Sequence, residues 1–176
     1  MSTSFDLFVT SPAEAVATAS RFDRDTMTTD IAEFVDRIRR HYDDGCFACG
    51  RDNPIGLHLD DFALDDGVVS ARFVPRKEYR GAGVILHGGV AATALDEMLV
   101  WAGILTEKVM SVTGRLEIRY RKPLEVGERV IVRSRVDELR GRRMTASGEL
   151  LVGEEVRAQA SGLFLVSADL AEMGVL

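Results

Sequence analysis

GGVAATALDEMLVWAGIL, residues 88–105, is the most apolar helix candidate in the chain. Its only polar side chains are Thr93, Asp96 and Glu97. A helix that is apolar on nearly all sides is normally buried, so this stretch predicts a long helix at the centre of the protein. The rest of the chain must then supply the elements that cover it.

The segments on both sides of this helix have the composition of strands. Residues 57–64 and 68–74 precede it, and the turn Asp65-Asp66-Gly67 between them is typical of a hairpin. Four further strand-like segments follow at 109–120, 129–136, 144–152 and 156–166. Because short connections imply antiparallel neighbours, the order predicts an α+β fold in which one antiparallel sheet covers one buried helix.

The residues before this unit predict a helical extension. Pro12 to Ala17 favour a short helix after Ser11. Asp30 is the expected N-cap of a second, amphipathic helix, whose apolar residues recur at helical spacing. We therefore expect an N-terminal helical extension over 1–42, one compact domain over 43–168 and a C-terminal tail over 169–176.

Composition excludes several classes of protein. The formal net charge of −6 disfavours a general nucleic-acid binder. We find no apolar run near the roughly 18 residues of a membrane span, and residues 1–10 lack the pattern of a signal peptide. The two cysteines are too few and too close for a disulfide framework. We expect a cytoplasmic protein that binds neither nucleic acid nor membrane.

Two features of the central helix suggest chemistry. The helical neighbours of Asp96 are small or apolar except for Thr93, and a carboxylate that is costly to desolvate is common at functional sites. Gly88-Gly89 leaves the first N–H groups of the helix open to hold an oxyanion or a polarised carbonyl oxygen. A structural acid and a tight turn are the alternative interpretations.

These residues resemble a known family. Residues 83–97, GVILHGGVAATALDE, look like the active-site helix of hotdog-fold thioesterases, particularly those similar to the phenylacetate-pathway enzyme (PaaI-like). Residues 120–123, YRKP, with Gly127-Glu128, and residues 46–57, CFACGRDNPIGL, resemble further segments of its members. The resemblance runs from residue 46 to about residue 166. It implies a hotdog fold, in which a curved antiparallel sheet wraps a long central helix, and a homodimer or homotetramer with sites at the dimer interface.

The same resemblance implies an acyl-CoA thioesterase and a role for each matching residue. Asp96 activates water as a general base or attacks as a nucleophile. The Gly88 N–H polarises the thioester carbonyl with help from Gly89, while His87 orients the loop or the substrate. Thr113 falls where related enzymes often carry a hydroxyl that positions water.

Substrate contacts are expected from charged side chains near this helix. Arg121 and Lys122 end a strand at the expected site rim and suit the phosphates of coenzyme A. Glu97 is likewise predicted to bind substrate. The alternative interpretation is a salt bridge to Arg115, Arg119 or Arg121. No metal or cofactor is predicted.

Spacing along the helix and one departure from the family refine this interpretation. Gly88 and Asp96 are eight residues apart, about 12 Å along a helix, which favours sites shared between two chains. Several relatives carry asparagine or glutamine six or seven residues before the histidine, where this chain has Gly81 and Arg80. A substrate-positioning contact is therefore missing or replaced.

The Cys46-x-x-Cys49 motif is open to more than one interpretation. We favour a structural turn over a metal site or a redox pair, because the chain has no second cysteine pair and no thioredoxin-like unit. His41 and His58 have no recognised ligand spacing.

Two other functions compete with the thioesterase. The first is a non-catalytic protein that binds acyl-CoA or an acyl carrier. The second is a hotdog dehydratase or hydratase, which is disfavoured because its aspartate usually precedes its histidine, whereas here Asp96 follows His87.

Overall fold

The computed structural model describes residues 21–42 and 44–176. Two helices and six strands lie within these residues: α1 Arg21–His41, β1 Asp60–Asp65, β2 Val68–Phe73, α2 Gly88–Ala102, β3 Val109–Tyr120, β4 Val130–Arg140, β5 Arg143–Val152 and β6 Glu155–Asp169. A 3-10 turn at Lys77–Tyr79 precedes α2, and a π-helical turn at Gly103–Glu107 continues it.

All six strands form one antiparallel sheet in the order β1-β2-β4-β5-β6-β3. The predicted strands are confirmed, β3 with the predicted bounds. β4 continues past the predicted end at 136, because a bulge between Val136 and Glu138 interrupts the alternation on which that end was based. Since β3 ends the sheet order, its other edge pairs with no strand of the described residues.

The predicted central helix, α2, packs against the sheet. Its buried side chains include Met98, Leu99 and Trp101. The Ser134 hydroxyl of β4 donates to Met98 O at 2.6 Å. A Cβ on Gly148 of β5 would lie only 3.1 Å from Leu99 Cδ2, so glycine there lets helix and sheet approach closely. The predicted α+β hotdog arrangement, one sheet on one long helix, is confirmed.

The prediction that no stretch reaches the length of a membrane span is corrected by the central helix. The helical stretch Gly88–Glu107 has 20 residues and is long and apolar enough to cross a membrane by length and composition. Of the 18 residues that form its most apolar part, 56% lie buried inside the protein. The core helix of a soluble protein meets the same criteria, so the stretch is weak evidence for a membrane span.

The N-terminal helix is longer than the sequence pattern suggested. Asp30 is not its N-cap, because α1 begins at Arg21 and runs through that position. The short helix predicted at 12–17 lies outside the described residues. The predicted apolar face is present, with Val35 and Ile38 buried in the core. The Arg37 guanidinium donates to Val175 O at 3.2 Å, which ties α1 to the C-terminal residues.

Candidate active site

The histidine before α2 caps the helix with its side chain. His87 has extended backbone angles, and its Nδ1 accepts from the Gly89 N–H at 3.0 Å. An accepting Nδ1 places the proton of the neutral ring on Nε2. The Gly89 N–H is thus already engaged. The Gly88 N–H has no acceptor within the described part of the chain, so it is the amide available to a ligand.

Tyr120 holds the other side of the same peptide group. Its hydroxyl donates to Gly88 O at 2.8 Å, and its ring would lie 3.4 Å from a Cβ built on Gly88. The peptide between Gly88 and Gly89 is therefore fixed at its carbonyl by Tyr120 and at its N–H by His87. Sequence reasoning did not assign Tyr120 to the site. The signal was its place at the start of the matching YRKP segment.

The predicted acid and hydroxyl lie together. The Thr113 hydroxyl of β3 donates to Asp96 Oδ1 of α2 at 2.7 Å. Asp96 is partly buried and Thr113 is exposed. A bulge between Thr113 and Arg115 interrupts the pairing of β3 with β6 beside this contact. One carboxylate oxygen is thus oriented by a neutral donor on the edge strand.

A cavity of about 400 Å³ lies at the start of α2. Gly88, Tyr120, Arg121 and Lys122 are among the residues that line it. The Arg121 guanidinium donates to Gln159 Oε1 at 2.8 and 3.0 Å, so its charge is held by a neutral amide. Such a charge remains available to an anionic ligand.

The charge of the neighbouring Lys122 is compensated by a carboxylate, unlike that of Arg121. Lys122 forms an ion pair with Glu155, and this contact holds the pKa of the Glu155 carboxyl below its usual range. Arg157, which sequence reasoning missed, lines the same cavity and donates to Pro123 O at 2.7 Å. This end of the cavity is cationic, with part of its charge already compensated.

Asp96 and Thr113 do not line this cavity. Asp96 lies two turns further along α2, as the spacing of eight residues requires, and Thr113 meets it from β3. The amide and the acid predicted to act together therefore form two separate halves within one chain.

Glu97 belongs to a different region from Arg121 and Lys122. Its Oε1 accepts from Trp101 Nε1 at 2.9 Å, and both carboxylate oxygens lie 3.7 Å from Cys46 Sγ. It lines a second cavity, of about 280 Å³. Glu97 thus contacts Cys46 and Trp101, which differs from the alternative interpretation of a salt bridge to an arginine of the strands. Its position lends no support to a role in binding substrate.

Gly81 lies directly beside His87. A Cβ on Gly81 would lie 3.4–3.7 Å from the backbone and ring of His87, which is ordinary van der Waals contact. An amide side chain at this position would therefore start beside the histidine that caps α2. In this chain that space has no such group.

Comparison with known proteins supports the fold and the motif. Residues 83–159 match the model of the thioesterase superfamily. PaaI of the E. coli phenylacetic acid degradation operon is 13% identical, with a TM-score of 0.63 over 78% of this chain and 96% of that one. Zebrafish thioesterase superfamily member 2 is 17% identical, with a TM-score of 0.61 over 81% and 99%.

A ligand-bound structure has the same fold. The protein smu.793 from Streptococcus mutans UA159, solved with acetyl CoA, is 18% identical, with a TM-score of 0.57 over 62% of this chain and 91% of that one. No curated protein matches the chain. At these identities the structures show the fold alone, whereas the family match contains the His-Gly-Gly motif, Asp96 and Thr113. Residues 83–159 are therefore similar to the thioesterase superfamily, and the chain has the hotdog fold.

Proposed function

We propose that the protein hydrolyses acyl-CoA thioesters to a carboxylic acid and free coenzyme A. The observation that carries the proposal is that Gly88, whose N–H lacks an acceptor in the described residues, lines a cavity together with Arg121 and Lys122. A helix N-terminus stabilises charge on a carbonyl oxygen, and the cations suit phosphates. The acetyl CoA bound to the Streptococcus mutans protein supports this class of ligand.

Asp96 supplies the base in this proposal. It takes a proton from water, and the resulting hydroxide attacks the thioester carbonyl carbon. The carbonyl oxygen becomes an oxyanion that accepts from the Gly88 N–H. The C–S bond then breaks, and the thiolate leaves to be protonated. The Thr113 hydroxyl orients one oxygen of Asp96 so that the other is available to water. Direct attack by Asp96 on the carbonyl is the alternative route through the same geometry.

The proposal requires that two chains share each site. Gly88 and Asp96 are about 12 Å apart on one helix, whereas the reacting carbon must lie roughly 3–3.5 Å from its attacking atom. The free edge of β3 carries Thr113, and an unpaired edge readily accepts a second strand. A second copy seated there would bring the Gly88 N–H of one chain towards Asp96 of the other.

A panel of acyl-CoA substrates tests the proposal. Purified protein is incubated with aliphatic, aryl and hydroxyaryl acyl-CoA esters and a thiol reagent. We expect release of free thiol, with kcat lowered 10²–10⁴-fold in Asp96→Asn, the range of general-base catalysis. Asp65→Asn makes the same chemical change at an exposed position of β1 and should leave kcat unchanged. Turnover in Asp96→Asn equal to wild type would contradict the assignment.

A non-catalytic acyl-CoA or acyl-carrier binding protein is the second candidate. Gly81 favours it, because the side chain that would start beside His87 is absent. Isothermal titration with an acyl-CoA distinguishes the two functions. Binding without thiol release by the wild-type protein across the panel would establish the binder and exclude the hydrolase.

A further inference from the structure

Three groups that can hold a metal converge beside α2, outside the cavity that Gly88 lines. Among the described residues, Cys46, Cys49 and Glu97 place one ligand atom each within 4.8 Å of one another. The cysteines belong to the turn before β1, and Glu97 belongs to α2. Neither His41 nor His58 joins them, and His58 Nε2 pairs with Asn53 O at 2.8 Å.

The backbone of the cysteine turn is arranged around the first sulfur. The Ala48 N–H donates to Cys46 Sγ at 3.4 Å, and the Cys49 backbone N–H contributes a second hydrogen bond to it. A Cβ on Gly50 would lie 2.3 Å from Asp44 O and 2.5 Å from Cys46 N, so only glycine fits there. This geometry presents a sulfur stabilised as a thiolate, the form that binds metals.

The carboxylate has the distances and support of a third ligand. Both Glu97 oxygens lie 3.7 Å from Cys46 Sγ. In a tetrahedral zinc site, bonds of about 2.3 Å to sulfur and 2.0–2.2 Å to oxygen put these atoms roughly 3.6 Å apart. The Trp101 Nε1–H donates to Glu97 Oε1 at 2.9 Å, a contact of the kind that orients metal-binding carboxylates.

We propose that Cys46, Cys49 and Glu97 bind Zn²⁺ through three protein ligands, with a fourth position open to the adjacent cavity. That cavity has a volume of about 280 Å³ and is lined by all three groups. Two thiolates and one carboxylate form a donor set that suits this thiophilic cation. The inference goes beyond the proposed hydrolase activity and does not depend on it.

The short distances within the cluster support the proposal. Both Glu97 oxygens lie 3.7 Å from Cys46 Sγ, and the Cys49 sulfur lies within 4.8 Å of the other two ligand atoms. A cation bound between one carboxylate and two sulfurs would compensate the negative charge that these groups carry as ligands.

The position of the cluster indicates what the cation does. Ile38 and Tyr42, from α1 and the residue that follows it, line the same cavity as the three ligands. Glu97 directly follows Asp96 on α2. The cation would join the cysteine turn to the helix that carries the proposed catalytic acid, at a site where α1 also packs.

Cobalt(II) provides a direct test, because it substitutes for zinc and reports thiolate ligands by its absorption. Reduced full-length protein is stripped with a chelator and titrated with Co²⁺ under anaerobic conditions. We expect one Co²⁺ per chain, thiolate-to-metal charge-transfer absorption, and displacement by Zn²⁺. Glu97→Gln should weaken binding by at least 10-fold, whereas Glu107→Gln, at an exposed position of the π-helical turn, should not.

Thiol protection in the wild-type protein gives a readout that does not depend on the folding of variants. Zn²⁺ should protect both cysteines from alkylation, and a chelator should restore their reactivity. Absence of charge-transfer absorption with stoichiometric Co²⁺ would overturn the proposal. So would unchanged affinity in Glu97→Gln, or a Cys46–Cys49 disulfide formed on mild oxidation with no metal bound to the reduced protein.

Discussion

At the scale of single residues, the start of α2 is organised around one peptide group. His87 accepts from its N–H, and Tyr120 donates to its carbonyl oxygen. The group cannot rotate without breaking one of these bonds. The adjoining Gly88 N–H therefore keeps a defined position although it has no acceptor in the described residues. A donor held in place before the reaction begins is what stabilisation of an oxyanion requires.

Tyr120→Phe tests this arrangement. Loss of the hydroxyl removes the bond to Gly88 O and should lower kcat/KM about 5-fold, since one hydrogen bond contributes about 1 kcal/mol and 1.4 kcal/mol equals a factor of ten. Steady-state kinetics on the best acyl-CoA measure the effect. Tyr42→Phe, which removes a hydroxyl close to Met173 rather than Gly88, is the matched control. Equal kinetics in both variants, with equal Tm, would show that the Tyr120 bond does not matter.

At the scale of elements, contact between α2 and the sheet sets the position of Asp96. Leu99 packs beside Gly148 of β5, and Ser134 of β4 donates to Met98 O. These contacts lie one turn beyond Asp96 on the same helix. A shift of α2 away from the sheet would therefore move Asp96 relative to Thr113 on β3.

Gly148→Ala measures how closely the two layers pack. The added methyl would lie 2.7 Å from Arg133 O, a backbone atom that cannot turn aside, and 3.1 Å from Leu99. Overpacking of this kind should lower the free energy of unfolding by about 2 kcal/mol. Urea denaturation gives the value. Gly81→Ala, whose methyl would meet its neighbours at 3.4–3.7 Å, is the control. A Gly148→Ala protein as stable as the control would mean that the layers have room to separate.

At the scale of the whole molecule, the proposed chemistry requires a second chain. Gly88 lines its cavity without Asp96, and β3 leaves an edge that no described strand covers. Tyr120 and Val112 on β3 are more than half exposed. A homodimer joined along this edge would cover those side chains and complete two sites.

Mixing two inactive variants tests whether sites are shared. Gly88→Pro removes the amide donor at the first position of α2, where proline is well tolerated, and its Cβ would lie in van der Waals contact with the Tyr120 ring. Asp96→Asn removes the base. If sites span two chains, mixed dimers contain one intact site, and a randomised equimolar mixture should recover about a quarter of wild-type activity. Sites within one chain predict no recovery. Sedimentation that shows only a 19.3 kDa monomer would likewise refute the shared site.

The sequence by itself determined the layers of this protein. The apolar character of α2 and the strand-like composition of β3 are local patterns, and local patterns depend only on which residues follow one another. The motif at the start of α2 and Asp96 were equally visible, because both lie within one short stretch of the sequence. The N-terminal limit of α1 was not, since no break in the pattern separates Asp30 from the residues before it.

Only the tertiary structure decided which distant residues meet. Tyr120 reaches Gly88 across 32 positions, and Cys46 reaches Glu97 across 51. These pairs arise from the order of strands in the sheet and from the side of α2 that the cysteine turn covers. Hydrophobic periodicity determines that an element is buried but not which partner lies against it, because many partners would bury the same apolar area. For that reason the sequence revealed Asp96 and a cysteine pair. The fold revealed that Tyr120 holds the carbonyl of Gly88 and that Glu97 lies beside the cysteines.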